Sequence, residues 1–240
     1  MPSFLGMNYV ASGAGSCVLL LHGWGSDLTC WNRVRAELED DFEVFAIDFW
    51  GFGQSELPKE SAGIYDYAEA IKQFVEKVIR KPVCIVGHSF GGRVALILAG
   101  KCSFVSDVVL VDSAGLRPKL TLKQKRKQNK YKKMKAKVLA GEVDESELNK
   151  FGSKDYKALN AVMRGVFIRV VNEDLTSFAR KVTQRTLLIW GRSDKDTPMY
   201  MAHKFRKLIK RSELVTLNGG HFSFIDDHNA FMRAVYNFIK

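Results

Sequence analysis

The chain has 240 residues, 46% of them apolar and 26% charged, with a formal net charge of +11. These proportions fit a soluble globular protein with one sizeable core and room for an insertion. No uninterrupted apolar stretch approaches the roughly 20 residues a membrane span needs. Met1 to Gly6 lack a basic region followed by an apolar one, so no signal peptide is expected. Cys17, Cys30, Cys84 and Cys102 are scattered without metal-ligand spacing. The expectation is reduced thiols in a cytoplasmic protein, with Cys17 and Cys84 acting as small core hydrophobes.

Strand-like and helix-like segments alternate along the chain. Met7 to Val10 is the only stretch available for an N-terminal strand, Val18 to Leu21 reads as a buried strand, and Leu28 to Leu38 as a helix. Phe42 to Ile47 reads as a strand. Tyr65 to Ile79 reads as an amphipathic helix, with Tyr67, Ile71, Phe74, Val75 and Val78 on one face. Val83 to Val86 is a strand followed by a helical run through Arg93 to Ala99, and Val105 to Val111 is another strand. Further on come a strand at Thr186 to Trp190, a helix near Tyr200 to Ile209, a strand at Leu214 to Leu217 and a closing helix from Asn229 to Ile239. Short apolar strands alternating with helices predict a mostly parallel sheet with helices on both faces.

Residues 117–185 break this rhythm between two strands. They hold 19 Lys and Arg against 7 Asp and Glu, while the remainder carries 18 against 19. The whole positive excess thus belongs to one segment, which predicts a helical insertion with residues 1–116 and 186–240 as the core. Its first part reads as a long basic helix. Its later part has apolar residues at helical spacing over Ala158 to Val171 (Leu159, Val162, Met163, Val166, Phe167) and then Leu175 to Phe178. Such an insertion over the carboxyl ends of the strands would form a lid.

Gly87-His88-Ser89-Phe90-Gly91 sits between a buried strand and a helix, the context of a nucleophile elbow. A serine hydroxyl needs a histidine to take its proton and an acid to orient that histidine. His221, in a loop after the last strand, is the candidate base, with His228 as the alternative. The loop after the preceding strand offers Asp194, favoured as the acid, and Asp196, which also reads as a residue at a helix start before Thr197-Pro198. An oxyanion hole needs preset backbone N–H groups. Phe90, after the nucleophile, and Trp24, in the turn His22-Gly23-Trp24-Gly25, are the expected donors.

These features together resemble the α/β-hydrolase superfamily. The elbow at Ser89, the His22 to Gly25 turn, the order Ser89, Asp194, His221 and the turn Asp48-Phe49-Trp50-Gly51-Phe52-Gly53-Gln54-Ser55 all fit it. The resemblance implies an α/β-hydrolase fold with a helical cap after the sixth strand of the family sheet. The short N-terminus implies that the family's first antiparallel hairpin is trimmed. Relatives that cleave carbon–halogen bonds or epoxides carry aspartate where Ser89 stands. Relatives that cleave carbon–carbon bonds usually have a different turn after His-Gly. The remaining expectation is an esterase or thioesterase acting on a small-molecule ester through an acyl-enzyme, with no metal or organic cofactor required.

Arg117 to Lys137 holds 11 basic residues in 21. A solvated lid helix accounts for such a run. The turn at His22 is also similar to that of pimeloyl-acyl-carrier-protein methyl ester esterases, which implies an acidic carrier protein docking on the lid. Arg164 and Arg169, on the more apolar lid helix, are candidates to face a small anionic ester. The basic run has few large apolar residues for insertion into a membrane and little aromatic interleaving for nucleic-acid bases. Trp50, Phe52, Phe222 and Phe224 neighbour the motif loops and suggest an apolar acyl site. A ligand-binding receptor that keeps the fold and the triad is the competing reading, separated by turnover of p-nitrophenyl esters.

Overall fold

The computed structural model describes residues 2–118, 121–151, 156 and 158–240. Eight strands form one sheet: β1 (Ser3–Phe4), β2 (Met7–Ser12), β3 (Ser16–Leu21), β4 (Phe42–Ile47), β5 (Val83–His88), β6 (Val105–Val111), β7 (Arg185–Gly191) and β8 (Ser212–Leu217). Their order is β1-β2-β4-β3-β5-β6-β7-β8. β1 pairs with β2 and β2 with β4 antiparallel; every later pairing is parallel. The N-terminal hairpin is present in short form, with a first strand of two residues and a second that runs to Ser12, beyond the expected Val10. The turn at Leu5-Gly6, both in the left-handed region, lets so few residues close a hairpin.

Side chains of a strand alternate between the two faces of a sheet, and β3 divides its residues accordingly. Cys17, Leu19 and Leu21 enter one apolar cluster, and Val18 and Leu20 the other. The first cluster lies under α2 (Ile64–Phe74), α3 (Phe90–Ala99) and α7 (Met199–Leu208). The second lies under α1 (Asn32–Leu38), the short α8 (Ser223–Asp226) and α9 (His228–Ile239). Burial of each large aliphatic side chain in these layers stabilises the fold by roughly 1.5–3 kcal/mol. Cys17 and Cys84 are buried within them and Cys30 and Cys102 partly so, all with free thiols.

Local chemistry moves some element ends. The segment 28–38 opens as a 3₁₀ turn (Leu28–Trp31), because the Asp27 side chain accepts the Thr29 N–H, and α1 follows. α2 stops at Phe74 and passes through a π-turn (Val75–Ile79) that Arg80 closes in the left-handed region.

Between β6 and β7 lie α4 (Leu122–Leu139), a 3₁₀ turn (Glu145–Lys150), α5 (Ala161–Asn172) and α6 (Thr176–Ala179). α5 begins at 161, where the Asn160 side chain accepts the Met163 N–H. It buries Met163, Val166 and Val170, at helical spacing, against the first cluster. Lys119, in the basic run, lies outside the described residues. Among the described residues no helix is long and apolar enough to cross a membrane.

The parallel arrangement sends the carboxyl ends of six strands to one edge of the sheet. His22 follows β3, Asp48 follows β4, Ser89 follows β5, Asp112 follows β6, and the loops bearing Asp194 and His221 follow β7 and β8. The chain order of the strands reverses around β3, where an open sheet leaves a crevice for ligands.

Candidate active site

Ser89 has φ 48° and ψ −104°, a conformation that side chains rarely adopt. Close approach explains the glycines around it. A Cβ on Gly87 would lie 2.6 Å from the Gly91 carbonyl oxygen, and one on Gly91 would lie 2.2 Å from that of Leu21. Three backbone hydrogen bonds hold the strained turn. Ser89 N–H donates to Val111, Ala114 N–H to Ser89, and Gly91 N–H to His22.

Ser89 Oγ lies 2.9 Å from His221 Nε2, and His221 Nδ1 lies 3.0 Å from Asp194 Oδ2. With Nδ1–H donating to the carboxylate, Nε2 presents a lone pair to the hydroxyl, the tautomer a general base requires. Burial alone would lower the His221 pKa, but the hydrogen bond and charge of Asp194 outweigh it and raise the value above 6.5. Burial would likewise raise Asp194, yet the bonds from His221 and Thr197 hold it down at about 2. The pair is therefore built for an ionised carboxylate beside an imidazole.

Asp196 is exposed and does not take this place; its backbone N–H donates to Asp194 Oδ1. Thr197 N–H donates to the same oxygen, and Thr197 Oγ1 lies 2.6 Å from Oδ2. His228 is also elsewhere, with Nε2 2.8 Å from Glu37 Oε1. Asp194, Asp196 and His221 do hold ligand-type atoms within 4.8 Å of one another. Four donors already fill the lone pairs of Asp194, so this set fits a hydrogen-bonded acid better than a metal ligand.

The His22 turn lies against the elbow, since a Cβ on Gly23 would approach within 3.3 Å of Ser89 Cβ. His22 fixes that turn. Its buried ring bonds Gly23 O through Nδ1 and accepts the Phe49 N–H at Nε2. That pattern needs the neutral form, and burial lowers its pKa accordingly. Among the described residues no turn or loop hydrogen bond takes up the N–H of Trp24 or Phe90. The turn after β4 is organised by buried Asp48, which accepts from Leu28 N–H, Gln54 N–H and Asn8 Nδ2. Ser55 Oγ donates to the Asp48 carbonyl, which accounts for the spacing of that motif.

The aromatic residues separate by role. Trp24 packs edge-on against Phe52, Phe90 and, from α5, Phe167. Phe222 is exposed beside His88 and His221. Trp50 turns away to the N-terminal hairpin, donating from Nε1 to Leu5 O and packing on Tyr67. Arg164 lies over the Tyr156 ring. Arg169 does not present its guanidinium to a ligand as expected. It donates to the carbonyls of Glu60 and Ala62, tying α5 to the loop before α2, because these carbonyls have no partner in a helix or strand.

Three polar residues of this network escape the motif analysis. His88 Nε2–H donates to the His221 carbonyl, and burial lowers its pKa to about 3, so the ring is neutral. Asp112, buried with φ 43°, accepts from Gly191 N–H through Oδ1 and from Ser223 N–H and Oγ through Oδ2. It thereby joins the loops that carry Asp194 and His221. Burial pushes its carboxyl up to about 7. Thr197 is the third, with Oγ1 between the Asp112 carbonyl and the Asp194 carboxylate. The one signal available for Asp112 was its position, an acid directly after a strand of the sheet edge that carries the elbow.

A model of the alpha/beta hydrolase family matches residues 18–234. The chain belongs to that family. An uncharacterized protein of Mycobacterium tuberculosis is 38% identical over 104 residues, 43% of this chain and 30% of that protein's length. The match therefore spans less than a third of that relative. The pimeloyl-[acyl-carrier protein] methyl ester esterase of Aliivibrio fischeri is 24% identical over 257 residues, covering 95% of each chain. An esterase from Exiguobacterium antarcticum has the same fold, with a TM-score of 0.76 at 21% identity over 97% of this chain and 94% of that one.

Proposed function

We propose that this hydrolase cleaves carboxylic esters of short to medium acyl groups through an acyl-enzyme on Ser89. The observation that carries the reading is the continuous chain Ser89 Oγ, His221 Nε2, His221 Nδ1, Asp194 Oδ2, at 2.9 and 3.0 Å, on a strained elbow. His221 takes the hydroxyl proton as Ser89 attacks the carbonyl carbon, and Asp194 stabilises the imidazolium. The Trp24 and Phe90 N–H groups receive the developing oxyanion. His221 then returns the proton to the leaving alcohol, activates a water molecule, and the acyl-enzyme is hydrolysed.

In this reading residues 117–185 are a lid on a core of 1–116 and 186–240. The contact of Phe167 with Trp24 supports that assignment, because it brings α5 to the oxyanion turn. Trp24, Phe52, Phe90 and Phe167 then form an apolar wall for the acyl group. An esterase among the full-length relatives is consistent with the chemistry.

The test is turnover of p-nitrophenyl esters of graded chain length, together with fluorophosphonate labelling. Ser89→Ala should abolish labelling and lower kcat/KM more than a thousandfold, as in other triad knockouts. An inert wild-type protein that binds a ligand tightly would replace this reading with the receptor.

A further inference from the structure

α4 is an 18-residue helix with eight lysines, Arg126 and no acidic residue. Like charges recur at four-residue spacing, as in Lys123–Lys127, Arg126–Lys130 and Lys133–Lys137. Such pairs destabilise an isolated helix. Among the described residues the single ion pair of α4 is Lys137 with Glu142, at 3.9 Å. Among the described residues the helix is seated along Tyr131, Met134 and Val138, which are half-buried at helical spacing, with Tyr131 packed on Phe151. Every lysine of the helix and Arg126 is exposed.

We propose that this cationic face docks the protein on an anionic lipid bilayer. The composition of the face selects that occupant. Lysine is a compact hydrated charge that responds to a diffuse surface potential, whereas phosphate recognition in nucleic acids favours the arginine fork and stacked aromatics. Both ends of the helix expose a leucine, Leu122 and Leu139, 75% and 78% exposed. With only these two apolar side chains the contact is mainly electrostatic, at the headgroup level, where lysine stems lie readily. The docking surface itself stands independently of the ester reading.

The experiment is co-sedimentation of the full chain with vesicles of phosphatidylcholine alone or with one third phosphatidylglycerol, at 0.1 M and 0.5 M salt. The variant Lys125→Glu/Lys132→Glu/Lys133→Glu changes three exposed positions away from the Tyr131 stripe, and the matching triple arginine variant keeps the charge. Wild type and the arginine variant should pellet with the anionic vesicles at low salt. The glutamate variant should partition at least tenfold less, and high salt should reduce wild-type binding by a similar factor. Equal unfolding midpoints establish that the glutamate variant is folded. Equal binding to neutral vesicles, no binding to either kind, or capture by RNA at a salt concentration where vesicles are not bound would each overturn the proposal. Turnover of a water-soluble ester should be unchanged in the glutamate variant, so loss of docking and failure of the ester chemistry read out separately.

Discussion

Asp112→Asn isolates the buried carboxylate that joins the loops carrying Asp194 and His221. The amide oxygen can keep the Gly191 N–H, but its NH₂ then faces the Ser223 N–H, which loses the acceptor it has at 3.2 Å. A buried donor without a partner costs roughly 1–3 kcal/mol. For a chain of this size that lowers the unfolding midpoint by roughly 2–10 °C.

The second consequence depends on pH. Asp112 ionises at about 7 in the fold and near 3.8 in an unfolded chain. Because the folded value is the higher one, the native state binds the proton more tightly. Stability from this group is full at low pH and is lost as pH rises from about 4 through 7. The loss approaches about 4 kcal/mol. The amide introduced by Asp112→Asn does not titrate, so the variant escapes this loss. Neighbouring Asp194 and His221 are present in both proteins and cancel to first order. Thermal unfolding at pH 4 and pH 8 should show the variant below wild type at the lower pH, and level with or above it at the higher. A gap that stays constant across this range would refute the assignment of a raised Asp112.

The raised His221 pKa predicts that kcat/KM falls as pH drops through a value above 6.5, because the protonated ring cannot act as base; a pH–rate profile checks it. Asp194→Asn removes the largest favourable contribution to that imidazolium, so the acid limb should move to lower pH and kcat should fall by about 10⁴. Gly91→Ala forces a Cβ to within 2.2 Å of the Leu21 carbonyl, and denaturant unfolding should show a loss of roughly 3 kcal/mol or more. Arg169→Ala should leave the preference between neutral and anionic esters unchanged, since that guanidinium serves the Glu60 and Ala62 carbonyls; its effect should be a stability loss of roughly 1–2 kcal/mol.

What the sequence reveals is the set of positions with no steric alternative. Gly87 and Gly91 border the elbow because any side chain there meets backbone, and that requirement is local enough to read from five residues. The strands of the parallel sheet are equally legible, since burial on both faces leaves continuous apolar runs. The choice between Asp194 and Asp196 is harder, because both lie in one loop. Thr197 resolves it by bonding Asp194 with its N–H and hydroxyl, and that contact depends on how the loop folds over the Asp112 carbonyl. Asp112 and His88 act on residues 111 and 133 positions away, beyond any sequence window. The direction of Arg169 fails for a related reason. Helical spacing places it on a face, but the carbonyls it meets belong to the loop before α2.

The acyl-enzyme itself is the most direct test of the chemistry. The protein is mixed with p-nitrophenyl acetate, quenched in acid within the first turnovers, digested and analysed by mass spectrometry. The account predicts an acetyl group on the peptide carrying Ser89, at the oxygen, with a matching burst of nitrophenol. Steady hydrolysis with Ser89 unmodified, or with the acetyl group on another side chain, would contradict it.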